Sequence, residues 1–143
     1  MDFKDSIELA NKIRDCSMAT VEDGKPRVRM MGLWFASKDG FYFQAWTFKS
    51  VDAQLRNNPN IEVCFFSKDK ADPCSMMRVR GEVEFLEDQP LKEKMLKDRP
   101  FLIEFGAKGP TDPRLSIFRI AHGSISFWPS AEGKTAKAQV INF

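Results

Sequence analysis

The sequence predicts a mainly β protein, an antiparallel barrel of six to seven strands with two or three helices inserted between them. Three observations carry that expectation. Asp-Gly pairs at Asp23-Gly24 and Asp39-Gly40 each separate two apolar, strand-like runs, and Asp-Gly supplies the positive φ that a tight hairpin turn needs. Residues 76–86 alternate in polarity, as a strand with one buried face does. Helical spacing is confined to short stretches near residues 5–15, 50–58 and 89–96. The chain has 143 residues, which suits one domain over residues 1–143 with one core.

Taken in order, residues 5–15 read as a short amphipathic helix with Ile7, Ala10, Ile13 and Arg14 on one face, and Ser6 and Leu9 give a weak capping signal. Residues 16–21 read as a strand, 22–25 as the first hairpin turn and 26–36 as a second strand. The turn at 38–40 leads into a third strand, 41–46, so that two hairpins follow one another as an antiparallel meander. Residues 50–58 read as a helix with Val51, Gln54 and Leu55 inward, stopped by Asn58-Pro59 because the residue before a proline disfavours helix. An apolar strand at 60–66, a polar loop at 67–75 and the long strand at 76–86 follow, with Gly81 marking a bulge. Asp88 caps a helix over 89–96, with Pro90 in its first turn. Residues 99–114 hold Pro100, Pro110, Pro113, Gly106 and Gly109 and read as a long loop, a length at which loops tend to be functional. Residues 115–120 and 124–128 are two strands, or one strand bent at His122-Gly123. Residues 130–143 are polar until Val140-Ile141 and form either a mobile tail or an edge strand. A barrel of this size fills its interior with side chains, so a ligand belongs on the outer wall or between subunits.

Composition excludes several functions. Net charge is +2, from 22 basic and 20 acidic residues, without the clustered basic face of a nucleic-acid binder. A local basic spot can still hold one phosphate. The cysteines Cys16, Cys64 and Cys74 are odd in number and form no CxxC, which argues against a disulfide framework and for a reducing compartment. Cys16 and Cys64 read as small buried hydrophobes, and Cys74, in a polar loop, reads as exposed. The charged start Met1-Asp2-Phe3-Lys4-Asp5 does not read as a secretory leader, and none is expected; no run approaches the ~20 apolar residues of a membrane span. A cytoplasmic protein without membrane contact is expected. His122 is the only histidine, so a His-ligated metal site is not expected, and GxSxG, P-loop and GxGxxG motifs are absent. Thirteen Phe and seven Met suit cores and flat ligand sites alike.

One constellation remains. Arg27 and Arg29 alternate on one strand face just after a turn, Gln44, Trp46 and Thr47 end the third strand, and Lys49 and Ser50 open a helix. Free N–H groups at a helix start, with a hydroxyl and a lysine, form a phosphate cradle without a glycine loop. Arg29 can add a bidentate contact. Met30, Met31 and Trp46 offer flat apolar surface to a ring system. Taken singly, the arginines also read as a solvated strand face, and Lys49 and Ser50 as a plain helix start. Taken together they suit a phosphorylated aromatic ligand.

The order and spacing of three segments resemble the pyridoxamine 5′-phosphate oxidase-like FMN-binding split-barrel superfamily, especially its short general-stress-protein and nitroimidazole-resistance-like members. The segments are Gly24-Lys25-Pro26-Arg27-Val28-Arg29-Met30-Met31-Gly32, Phe41-Tyr42-Phe43-Gln44-Ala45-Trp46-Thr47-Phe48-Lys49-Ser50 and Gln54-Leu55-Arg56-Asn57-Asn58-Pro59-Asn60-Ile61-Glu62-Val63. The resemblance covers residues 6–128. It implies a split barrel that binds FMN. Residues Arg29 to Gly32 would lie along the isoalloxazine ring, Gln44, Ala45, Trp46 and Thr47 would flank ring and ribityl chain, and Lys49 and Ser50 would hold the phosphate. Val51 stands where the family often has a basic residue, and Lys49 takes that role from two places earlier. The resemblance also implies a homodimer with FMN at the interface. Ser126-Phe127-Trp128 resembles the Glu-Phe-Trp of the oxidases, which would bring Trp128 to the partner's flavin, with Ser75, Met76 and Arg78 also within reach.

Departures from the vitamin B6 oxidases matter equally. Their Arg-Leu-His segment after the Trp is replaced by Pro129-Ser130-Ala131-Glu132-Gly133-Lys134, and the lysine five residues after the matched Arg29 is Trp34. No appreciable activity on pyridoxamine phosphate is expected. The expected function is a flavin-dependent oxidoreductase that meets a small-molecule electron donor or acceptor. The alternatives are a non-catalytic flavin-binding stress or sensor module, or a split barrel that binds a deazaflavin or haem.

Overall fold

The structure is a computed structural model and describes residues 1–130 and 137–143. Its elements are α1 (Phe3–Ile13), β1 (Asp15–Glu22), β2 (Lys25–Gly32), β3 (Phe35–Ser37), β4 (Gly40–Trp46), α2 (Ser50–Asn57), β5 (Asn60–Phe66), β6 (Cys74–Phe85), α3 (Gln89–Asp98), α4 (Phe101–Glu104), β7 (Leu115–Pro129) and β8 (Gln139–Asn142). The strands make one 8-stranded antiparallel sheet in the order β2-β1-β5-β6-β7-β4-β3, with β8 on β7. The strand count exceeds the expected six to seven because β3 separates from β2 and the tail adds β8.

The ends of this strand order, β2 and β3, are joined by Leu33 and Trp34 alone, and so short a link forces the sheet to curl back on itself. The two link residues point their N–H groups to opposite sides of the closure. Leu33 donates to the Arg14 carbonyl (2.9 Å) and Trp34 to the Tyr42 carbonyl (3.0 Å). The expected continuous strand over 26–36 and the meander are therefore corrected. The two hairpins form, but β1 pairs with β2 and β4 with β3, and β2 and β3 lie at opposite ends of the strand order, so no single strand joins the hairpins into a meander. Asp23 at φ 53° and Gly24 at φ 73° make the first turn left-handed, as a tight hairpin requires.

The long strand β7 spans both halves of the barrel, pairing β4 through Leu115–Ile120 and β6 further along. It is one bent strand, not two. A register shift between Gly81 and Val83 marks the expected bulge, and a Cβ on Gly81 or Gly123 would collide with the His122 or Arg80 carbonyl oxygen. The barrel interior holds Met18, Phe41, Phe43, Phe65, Met77, Val79, Phe118 and Ile125. A second cluster, Trp34, Tyr42, Met95, Leu102, Leu115 and Ile117, covers the outer side of β4 beneath α3 and α4. Both faces of β4 are thus buried, which suits its nearly unbroken apolar sequence.

Local differences have local causes. Helix α1 starts at Phe3 under Asp2, whose side chain accepts from the Asp5 N–H while Asp5 accepts from the Asp2 N–H. Ser6 and Leu9 are buried rather than capping. Arg14 leaves the helix at φ 62° and donates to the Trp34 carbonyl (2.7 Å). Cys74 is buried at the start of β6, not exposed, and burial pushes its thiol up to about 11 and that of Cys16 up to about 12. The 99–114 stretch contains the one-turn helix α4. Of the tail, 139–142 is the edge strand β8, and residues 131–136 lie outside the described residues. No helix among the described residues is long and apolar enough to cross a membrane.

Candidate functional site

A cleft of about 440 Å³ opens where β2, the end of β4 and the start of α2 meet, within the usual range of small-molecule sites. Chain geometry makes this junction. β4 runs directly into α2 through a turn in which the Lys49 N–H donates to the Trp46 carbonyl (3.0 Å). The Thr47 N–H is held by the Arg114 carbonyl (2.8 Å), which anchors the same turn to the far end of the 99–114 segment. Strand β2 supplies Arg29, Met30, Met31 and Gly32, the strand end supplies Gln44, Ala45 and Trp46, and the helix start supplies Lys49, Ser50 and Val51.

The electrostatics are one-signed. The lining includes Arg29, Lys49 and Arg99 and no carboxylate. Burial lowers the pKa of both arginines, and the nearby Arg14 guanidinium lowers that of Arg99 further. Arginine nevertheless keeps its charge in proteins. Arg29 is tied to the Thr20 hydroxyl (2.7 Å) and the Gln54 amide oxygen (2.5 Å), and Arg99 donates to the Leu33 carbonyl (2.9 Å). Lys49 makes no ion pair among the described residues; its ammonium lies 5.9 Å from the Phe48 ring. It is also the N-cap of α2, where no side chain among the described residues caps the helix; the Asp52 N–H turns back to the Lys49 carbonyl (3.2 Å), and the Ser50 and Val51 N–H groups are the ones placed to meet an anion.

Gln44 adds an independent sign of a missing partner. It is 7% exposed, lines the cleft, and its Nε2 is buried with no hydrogen-bond acceptor among the described residues. Leaving such a donor unsatisfied costs about 1–3 kcal/mol, a cost that a ligand carbonyl or ring nitrogen would remove. Met30, Met31 and Trp46 provide the apolar walls, and Trp46 is stacked on Phe48 with ring centroids 5.5 Å apart. Cations and uncapped helix N–H groups, apolar walls and a buried amide donor fit a flat ring system carrying a phosphate, which is the chemistry of FMN.

The remaining sequence candidates lie elsewhere. Arg27 is exposed on the hairpin and pairs with Glu22 (3.3 Å). Thr47 is exposed beside the cleft without lining it. Ser75 and Trp128 line a second cleft of about 360 Å³ with Lys68, Lys70 and Ser130. Met76 sits opposite Trp128 in the β6–β7 register, and the Arg78 guanidinium stands 4.8 Å over the Trp128 ring. One chain therefore does not bring Ser75, Met76 and Trp128 to the first cleft. Arg99 is the lining residue that sequence reasoning did not single out. Its only signal was its place at the head of a Pro- and Gly-rich segment. Among the described residues no group of His, Cys, Asp and Glu could hold a metal ion.

The fold has close structural counterparts. A NimC/NimA family protein from Clostridium acetobutylicum superposes with a TM-score of 0.78 at 20% identity, over 98% of this chain and 91% of that one. General Stress Protein 26 from Bacillus anthracis gives 0.73 at 21%, over 100% of both chains. A pyridoxamine 5′-phosphate oxidase-related, FMN-binding protein from Nostoc punctiforme gives 0.69 at 14%, over 92% of this chain and 87% of that one. At such identities these likenesses speak to the fold. No curated protein matches the sequence. The defining sequence pattern of the pyridoxamine 5′-phosphate oxidase family matches residues 6–129, nearly the whole chain, and the protein belongs to that family.

Proposed function

We propose that this protein binds FMN in the β2–β4–α2 cleft and acts, as a homodimer, as a flavin-dependent oxidoreductase. The observation that carries the reading is a cleft whose described lining holds three cations, no carboxylate, a helix start without a side-chain cap and a Gln44 Nε2 without an acceptor among the described residues. Lys49, the Ser50 hydroxyl and the Ser50 and Val51 N–H groups would hold the phosphate. Gln44 Nε2 would donate to the polar edge of the ring, and Met30, Met31 and Trp46 would exclude water from its apolar part. The flavin supplies the electron transfer, and the protein supplies binding, orientation and charge.

The dimer has its own support. Strand β2 leaves Val28 72% and Met30 66% exposed, and Phe66 is 58% exposed beside Met76 and Trp128 in register on the same face. Bare apolar strand surface of this kind marks an interaction site. A second copy on that face would carry Trp128 and Ser75 toward its partner's cleft. Pyridoxamine phosphate is an unsuitable substrate, because Trp34 stands in place of the oxidases' lysine, 1% exposed, with Nε1 donating to Asp98 (3.1 Å).

Anaerobic mixing of the FMN-loaded protein with NADH or NADPH tests the oxidoreductase reading, with bleaching of the flavin band expected and recovery on adding an electron acceptor. A flavin that neither donor reduces would leave the second reading, a non-catalytic flavin-binding module. That reading is favoured by one observation: the cleft lining holds no His, Cys, Asp or Glu to move protons.

A further inference from the structure

Beneath the cleft, four polar side chains form a hydrogen-bonded chain that joins three elements. Gln54 of α2 donates through Nε2 to Glu22 Oε2 (3.1 Å), and its Oε1 accepts from Arg29 (2.5 Å) and from the Thr20 hydroxyl (2.6 Å). The Thr20 oxygen in turn accepts from Arg29 (2.7 Å). Thr20 and Gln54 are 2% and 6% exposed. Chemistry fixes the amide orientation: reversed, its NH₂ would face the guanidinium and its oxygen the carboxylate. Glu22 is the carboxylate whose field reaches Arg29, yet no hydrogen bond joins the two. Glu22 is satisfied by Gln54 and by Arg27 (3.3 Å). Among the described residues, Arg29 donates to neutral acceptors alone: Thr20, Gln54 and the Met18 carbonyl (3.4 Å).

We propose that Gln54 is a positioning residue that holds Glu22 away from Arg29, so that no direct ion pair cancels the Arg29 charge at the cleft and that charge favours the reduced form of a bound flavin. The inference rests on the FMN reading above. Two electrons and one proton convert oxidised flavin to the reduced anion, whose ring carries one more negative charge, and a cation lining the same cleft stabilises that charge. A direct Arg29–Glu22 pair would be neutral and would stabilise it less. A neutral amide in between satisfies both ionic groups and keeps the carboxylate at a distance, where it offsets the cation's field only in part.

The test is a redox titration of the FMN-loaded protein with dithionite against a reference dye, which reads the ratio of affinities for reduced and oxidised FMN. Gln54→Glu places a carboxylate directly on Arg29, and the ratio is expected to fall about tenfold, about 30 mV toward more negative potential for a two-electron couple. Glu22→Gln removes the distant acid and is expected to raise the ratio. A merely structural role would not move the potential in opposite directions. Unchanged potentials, or shifts of the same sign, would overturn the inference. If Gln54→Glu does not fold, Glu22→Gln on the half-exposed hairpin decides alone, since a raised ratio supports the inference and an unchanged one overturns it. Wild-type protein that takes up no FMN would sink the FMN reading and this inference together, whereas FMN uptake with a potential insensitive to both variants would sink this inference only.

Discussion

Replacing Lys49 by Ala tests the phosphate end of the cleft with little risk to the fold. Of the three cations there, Arg29 is committed to Thr20 and Gln54, and Arg99 to the Leu33 carbonyl, while Lys49 has no ion pair among the described residues. A charge-assisted hydrogen bond to phosphate contributes about 1.5–3 kcal/mol, or about 10- to 150-fold in affinity for FMN. Lys49 is exposed and makes no capping hydrogen bond through its side chain, so folding stability should change by no more than about 0.5 kcal/mol. Flavin-fluorescence quenching gives the affinity, measured in parallel for FMN and for riboflavin, which lacks the phosphate. Lys49→Ala should weaken FMN and leave riboflavin nearly unchanged, and raising the salt concentration should narrow the difference between the two ligands in the wild type. Equal loss for both ligands, or loss for neither, would refute the assignment of Lys49 to the phosphate.

Gln44→Leu removes a buried donor that has no partner among the described residues, so thermal stability should hold or rise while FMN binds about 5- to 10-fold more weakly, following the ~1–1.5 kcal/mol of one hydrogen bond; a loss of stability without a loss of affinity would contradict this. Val28→Glu puts a charge on the bare face of β2 and should halve the mass measured by light scattering, with weaker FMN uptake; an unchanged dimer would place the interface elsewhere. Asp112 accepts from the Lys108 N–H and from the backbone and guanidinium of Arg114, which holds its carboxyl well below the usual range. A depressed carboxylate stabilises the fold above its unfolded pKa, near 3.9, and loses that contribution as pH falls through the folded value. Thermal melts should therefore decline below about pH 4, and Asp112→Asn should flatten that decline; parallel acid limbs for the two proteins would count against it.

How much of this was legible in the sequence depends on the range of the interaction concerned. The hairpin turns were readable because Asp23 and Gly24 carry the required backbone conformation themselves. The inward face of α2, with Val51, Gln54 and Leu55, was readable from helical spacing alone. The break at Leu33-Trp34 was not, since both residues are apolar and the strand ends only because its neighbours change from β1 to β4. Strand order was hidden for the same reason: β1 meets β5 across more than thirty intervening residues, and nothing local encodes that pairing. At the site, the contiguous segments at β2 and at the β4–α2 turn were legible as a phosphate-and-ring constellation. Arg99 was not, because it reaches the cleft from a segment distant in sequence. Cys74 shows the opposite error, a polar neighbourhood in sequence around a side chain that the fold buries completely.

Whether FMN occupies the β2–β4–α2 cleft of a dimer is read from the absorption spectrum of the purified protein titrated with FMN, recorded with its mass in solution. A perturbed flavin band that saturates at one FMN per chain on a dimer is expected. An unperturbed spectrum of free FMN at every concentration would contradict it.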